Sequence, residues 1–150
     1  MKMKKIKEED IIINYAKIED AKIIEELERN WIEEGNDHDM NPYTPKEIEE
    51  AILDKRIILA EHESIIMGYL FFEIEDNKCE LDAIYIRKDY RNQKVGQMLM
   101  EYFLEIERVK ACKKVYLLAD SVYEEKLVKF YEKFGFNKVA IRMLLNLKGK

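Results

Sequence analysis

Between the strand-like residues Cys79 to Ile86 and a long apolar-striped segment lies Tyr90-Arg91-Asn92-Gln93-Lys94-Val95-Gly96-Gln97. A helix beginning here presents unpaired backbone N–H groups and a partial positive charge, which is chemistry suited to holding phosphate. Arg91, Gln93 and Lys94 add donors, and Gly96 lets backbone approach a ligand or the sheet. An ordinary first helical turn with basic side chains fits the same residues. The second feature is Phe130-Tyr131-Glu132-Lys133-Phe134-Gly135-Phe136. Gly135 ends a helix as a left-handed cap, and Phe136 turns back toward the core. Tyr131 shares a stripe with Leu127, Phe130 and Phe134. Either it is a packed core aromatic with its hydroxyl bonded, or it is a phenol able to protonate a leaving group.

The elements that must position these residues follow from period and punctuation. Ile11 to Ala16 is a β-branched first strand. Asp20 caps a helix with Ile23, Ile24, Leu27 and Trp31 on one stripe. Gly35 to Pro42 reads as a loop, and Pro45 opens a helix that buries Ile48, Ala51 and Ile52. Strands from Ile57 to Ala60 and Ile65 to Phe72 form a hairpin across His62-Glu63-Ser64, and Asp76-Asn77 turns the chain into Cys79 to Ile86. Strict alternation in that strand puts Cys79, Leu81, Ala83 and Tyr85 on one face, and Glu80, Asp82, Ile84 and Ile86 on the other. A single helix is expected from Asn92 to Val109, then a strand from Lys114 to Ala119, a helix from Glu124 to Phe134 and a strand from Val139 to Leu147. The order is α+β and mainly antiparallel, with one parallel pairing implied by the strand–helix–strand unit from Leu81 to Ala119.

The chain has 150 residues, enough for one domain with a real core, and is read as a single domain over residues 1–150. The net charge of −5 and pI near 5.3 speak against a nucleic-acid groove, which needs a basic face. No apolar run reaches membrane-spanning length, and the basic start lacks the apolar stretch of a signal peptide, so a cytoplasmic location without membrane association is expected. Cys79 and Cys112 read as reduced, partly buried thiols. His38 and His62 stand apart from any metal-ligand spacing, so no metal site is expected.

Taken together, Arg91 to Gly96 and the Phe130 to Phe136 ending resemble the GNAT superfamily of N-acetyltransferases. Arg91-x-x-Lys94-x-Gly96 is similar to that family's Arg/Gln-x-x-Gly-x-Gly/Ala pyrophosphate loop. The ending is similar to its motif after the fifth strand. The resemblance in motifs covers Leu81 to Phe136. It implies a central mixed, mainly antiparallel sheet of six to seven strands, flanked by about four helices and splayed between the fourth and fifth strands. It implies acetyl-CoA as co-substrate, with the backbone of Asn92, Gln93, Lys94, Val95, Gly96 and Gln97 on the pyrophosphate and the Arg91 and Lys94 side chains near the phosphates. Ile84, Tyr85 and Ile86 would pair with the pantetheine arm, an N–H near Ile84 or Ile86 would polarise the thioester carbonyl, and Tyr131 would protonate the CoA thiolate.

Two departures stand out. Lys94 replaces the loop's first glycine, and Glu124 stands where many members have asparagine. With helical φ, Lys94 would carry no backbone cost. The acceptor amine must lose a proton before it attacks, and a carboxylate in the site can take it, directly or through water. Glu80 occupies the strand position where some relatives place their base, and Asp82 is the second candidate. Ordinary solvent-facing strand carboxylates are the alternative for both.

The acceptor side has no diagnostic motif. An acidic rim of Glu33, Glu34, Asp37, Asp39, Asp120, Glu124 and Glu125 favours a small cationic amine, aminoglycoside-like or polyamine-like. Trp31, Met40 and Tyr43 would help line this side, and Trp31, Glu34, Asp37 and Asp120 are the substrate-binding candidates. Two alternatives remain: a peptide N-terminal or lysine acetyltransferase, and a non-catalytic acyl-CoA-binding sensor. The apolar run from Ala140 to Leu147 would be covered or would pair across a homodimer.

Overall fold

The computed structural model describes residues 5–34, 42–118 and 124–140, together with 143, 145 and 147. Two compact units divide the chain, Met1–Leu118 and Ala119–Lys150. The first is built on five strands: β1 (Ile12–Tyr15), β2 (Ile57–His62), β3 (Ile65–Glu75), β4 (Lys78–Ile86) and β5 (Lys114–Leu117). They lie side by side in chain order, antiparallel from β1 to β4 and parallel between β4 and β5. Both hairpins turn on two residues with positive φ, Glu63-Ser64 and Asp76-Asn77. That geometry matches the twist of the strands it joins.

Helices α1 (Ala21–Glu33) and α2 (Pro45–Leu53) cover one sheet face. Thr44 and Glu47 form a reciprocal capping box ahead of α2, with Pro45 at its first position. Asp20 stands at the N-terminus of α1, but its carboxylate accepts the Lys17 N–H instead of capping the helix. Ile24 and Leu27 of α1 join Ile48, Ala51 and Ile52 of α2 in a core against Leu59, Tyr69, Phe71, Ala83 and Tyr85. Glu28 is also buried there, at 2% exposure. It accepts the Tyr69 hydroxyl and the Tyr43 N–H, and burial holds its carboxyl above the usual range. On the other face, Phe103 of α3 (Val95–Leu104) meets Phe72 at a ring separation of 5.2 Å.

Three expectations are corrected. The helix expected from Asn92 to Val109 is two: α3 ends at Leu104, Ile106 is extended, and a single turn, α4 (Glu107–Lys110), follows. The buried residues Phe103, Ile106 and Val109 keep helical spacing across the break, so the sequence pattern conceals it. The sheet has five strands among the described residues, not six to seven. Val139, Met143, Leu145 and Leu147 are 81%, 89%, 79% and 86% exposed and pair with no strand. Alternation offers a face for burial but cannot supply the neighbouring edge.

The third correction concerns β4. Phe71 pairs with Ala83 and the next residue, Phe72, pairs with Leu81, which leaves Asp82 as an extra residue in a bulge. The bulge exchanges faces. Ala83 and Tyr85 lie with Phe71 and Tyr69 toward α1 and α2, whereas Cys79 and Leu81 lie with Phe72 on the α3 side. Glu80, opposite Glu73, falls on the α1–α2 face, and Ile84 and Ile86 fall on the α3 face.

The second unit contains α5 (Glu124–Glu132). Its end is a paired cap: the Gly135 N–H donates to the Glu132 carbonyl and the Phe136 N–H to that of Tyr131. Gly135 takes φ +93°, as expected of the left-handed position. No helix among the described residues is long and apolar enough to cross a membrane.

Candidate active site

Helix α3 begins directly after a turn in which Asn92 and Lys94 have φ of 64° and 66°. Its first internal bond runs from the Met98 N–H to the Lys94 carbonyl. The N–H groups of Val95, Gly96 and Gln97 are therefore left for a ligand or solvent, with no side-chain cap over them. The helical φ that would spare Lys94 any backbone cost is not the one it takes. It sits in the left-handed region, where a residue with a Cβ is disfavoured by about 1–2 kcal/mol. Its ammonium pairs with Glu8 at 3.3 Å.

The Gln93 side chain is anchored through Oε1, which accepts the Ile6 N–H at 3.0 Å. Its Nε2 is buried without a partner. Arg91 turns away from the helix start. Its Nη2 lies 3.0 and 2.9 Å from the two Glu34 carboxylate oxygens, and its Nε donates to the Ile86 carbonyl at 2.8 Å. The guanidinium also stacks 5.4 Å from the centre of the Tyr85 ring. Tyr85 donates its hydroxyl to Glu34 at 3.2 Å, and its ring packs 6.5 Å from that of Trp31.

The register of β4 decides which backbone groups are free. The Arg87 N–H donates to the Met67 carbonyl, so Tyr85 and Arg87 turn their polar groups toward β3. Those of Ile84 and Ile86 then point to the opposite edge. There β5 pairs only with Lys78 to Leu81, so β4 from Asp82 to Ile86 has no β5 partner among the described residues. The Ile86 carbonyl on this edge is the one taken by Arg91.

Gly68 lies opposite Ile86, and a Cβ there would meet the Tyr85 oxygen at 2.4 Å. Only glycine lets β3 approach β4 so closely at this end of the edge. A glycine inside a strand is the sequence signal for it, and the motif-centred reading passed over it.

On the α1–α2 face, the bulge brings the Asp82 carboxylate together with Glu73 and Glu80, all within 4.8 Å of one another. Burial pushes the Asp82 carboxyl up to about 7, reinforced by the charges of Glu73 and Glu80 and a hydrogen bond with Glu73. Arg56 opposes the shift and lies 3.3 Å from Glu73. Tyr43 stacks on Phe71 at 4.4 Å beside this cluster, its hydroxyl pushed up chiefly by burial and next by Asp82.

In the second unit, Tyr131 packs among Phe130 and Phe136, and burial pushes its phenol up to about 12. Asp37, Asp39, Met40 and Asp120 lie outside the described residues, as does the Glu124 side chain.

The profile of the acetyltransferase (GNAT) family matches residues 21–136. The chain belongs to that family. It is accordingly an N-acetyltransferase with acetyl-CoA as co-substrate. No curated protein sequence matches it significantly. Among solved structures, Ard1 from Thermoplasma volcanium gives a TM-score of 0.72 at 16% identity, covering 87% of this chain and 85% of that one. The PaiA N-acetyltransferase from Thermoplasma acidophilum, in complex with coenzyme A, gives 0.70 at 22% over 85% and 89%. The aminoglycoside acetyltransferase meta-AAC0020 from an uncultured soil metagenomic sample, in complex with trehalose, gives 0.70 at 14% over 94% and 99%. At these identities the likeness is one of fold. The residues present fit the co-substrate: free N–H groups at a helix start suit phosphates, and an open strand edge suits an amide-bearing arm.

Proposed function

We propose that this chain, acting as one acetyltransferase domain over residues 1–150, acetylates the primary amine of a small cationic acceptor of the aminoglycoside or polyamine kind. The observation that carries this reading is the carboxylate cluster of Glu73, Glu80 and Asp82 on the α1–α2 face of β4. Three carboxylates facing one arginine leave a negative field that favours an ammonium. Asp82, pushed up to about 7, is the group best matched to accept a proton at neutral pH. We therefore assign it the role of base ahead of Glu80, with Glu80 and Glu73 raising its basicity and holding the acceptor.

Acetyl-CoA supplies the thioester carbon that the freed amine attacks. The N–H groups of Val95, Gly96 and Gln97 hold its phosphates. The outward N–H groups of Ile84 and Ile86 orient its arm and donate to the carbonyl oxygen as negative charge gathers there. Tyr131, neutral far above physiological pH, keeps the proton that the departing sulfur requires. Trp31 and Tyr43 flank the acceptor side.

The test is thiol release from acetyl-CoA with a panel of polyamines, aminoglycosides, free amino acids and peptides with unblocked N-termini. The polyamines or aminoglycosides should give the highest kcat/KM. Preference for peptides by tenfold or more would transfer the assignment to peptide acetylation.

A further inference from the structure

Glu34 is the residue immediately after α1, at the helix's C-terminal end. Helix geometry places partial negative charge at that end, so a carboxylate there is disfavoured unless a cation offsets it. The cation is Arg91, the first residue of the cofactor turn and distant in sequence. The pair is better built than a surface ion pair. Both carboxylate oxygens lie within bonding distance of the guanidinium Nη2, the Tyr85 hydroxyl adds a third hydrogen bond, and the Glu34 side chain is 18% exposed. The remaining reach of Arg91 goes to the Ile86 carbonyl, the last outward group of the open β4 edge.

We propose that Glu34 is a positioning residue for the cofactor. Acting through Arg91, it fixes the start of the phosphate-binding turn and closes the open edge of β4 at Ile86. The inference rests on the acetyl-CoA reading of that turn and edge. It gives Glu34 a different task from the acidic rim expected to attract the amine, because its charge is already met by a guanidinium. It likewise leaves phosphate binding to the helix N–H groups, since the Arg91 side chain is engaged by Glu34 and the Lys94 ammonium by Glu8. The C-terminal end of α1 is thereby tied to the first residue of the cofactor turn.

The test is a double-mutant cycle read as the equilibrium Kd for CoA, on the full chain without turnover, for the wild type, Glu34→Gln, Arg91→Gln and the double variant. Each single change should weaken CoA binding about tenfold, and the double should be no weaker than either alone, since both remove one clamp. Arg91→Lys keeps the charge but loses the planar fork, and should bind as weakly as Arg91→Gln. Melting temperatures of all variants accompany the Kd values, because loss of stability alone would not produce this non-additivity.

Unchanged or tighter CoA binding by Glu34→Gln would overturn the proposal, the latter by making Arg91 a restrained phosphate ligand. Multiplying losses, or full binding by Arg91→Lys, would overturn it too. So would an effect of Glu34→Gln confined to the amine KM. A wild type that binds CoA and shows the coupling, yet acetylates no amine, would refute the acceptor assignment and leave this inference standing. A wild type that does not bind CoA refutes both.

Discussion

Replacing Asp82 by asparagine tests the base assignment through two independent readouts. The side chain keeps its shape and loses its ability to ionise. Asp82 titrates near 7 rather than at its ordinary 3.8, because it is partly buried in the bulge beside Glu73 and Glu80. Its folded pKa is raised, so the native state holds the extra proton from about pH 4 to about pH 7. Stability is therefore greatest below that window and falls as the pH rises through it. In a fully dry site the gap would amount to about 4 kcal/mol. Asp82 keeps partial contact with water and Arg56 lies nearby, so screening reduces the figure to about 1–2 kcal/mol. Asp82→Asn should therefore melt about 2–8 °C above the wild type at pH 8, with the difference vanishing near pH 4. In catalysis, wild-type kcat should rise through an apparent pKa near 7, a property of the carboxylate cluster as a whole, and then level off. The asparagine variant should lose about 100-fold at pH 7.5 and keep climbing with pH, as the acceptor's own deprotonation takes over. Differential fluorimetry and thiol-release rates between pH 5.5 and 9.5 measure both. A variant that retains the plateau near pH 7 would remove Asp82 from the mechanism, and one destabilised at pH 8 would refute the burial argument beneath it.

Gly68→Ala forces a Cβ against the Tyr85 carbonyl and the Ile86 side chain. It should cost about 1–3 kcal/mol in denaturant unfolding and, by displacing the end of β4, raise the KM for acetyl-CoA. Lys94→Gly removes a left-handed non-glycine residue and should raise the denaturant midpoint by the equivalent of about 1 kcal/mol, since the exposed pair with Glu8 contributes little. Tyr131→Phe should lower kcat about 100-fold in the thiol-release assay at saturating acetyl-CoA, with its melting temperature close to that of the wild type.

Local features were the most legible in the sequence. Pro45 marked the start of α2, Asp76-Asn77 marked a turn, and Gly135 marked a left-handed cap, because each acts through its own backbone or near neighbours. The helix after the Arg91 turn was legible on the same ground, but it begins at Val95 and not at Asn92, whose φ of 64° belongs to the turn. What escaped depends on pairs distant in the chain. Nothing in Arg91 announces Glu34 as its partner, and the motif pointed its side chain at phosphate instead. Lys94 stands where the family's loop has glycine, and its left-handed φ was not legible, because a helical φ also fitted the residue type.

The bulge at Asp82 shows why strand periodicity alone misjudged the site. Cys79, Leu81, Ala83 and Tyr85 alternate without interruption, and that pattern describes a regular strand equally well. A bulge belongs to a pair of strands: β3 passes from Phe71 to Phe72 while β4 passes from Ala83 to Leu81. That one unmatched residue has three effects at once. It turns Ala83 and Tyr85 into the α1–α2 core while Leu81 packs on the other face. It brings Asp82 beside Glu80 and Glu73, where burial and like charge lift its pKa to about 7. It also falls where the pairing with β5 stops, at the start of the β4 edge that carries the outward groups of Ile84 and Ile86. A regular strand would have put Glu80, Asp82, Ile84 and Ile86 on one face, mixing the candidate base with the residues beside the cofactor edge. The bulge separates them, and the burial of Asp82 within it, which pushes its carboxyl up to about 7, is what ranks it ahead of Glu80 as the proposed acceptor of the proton.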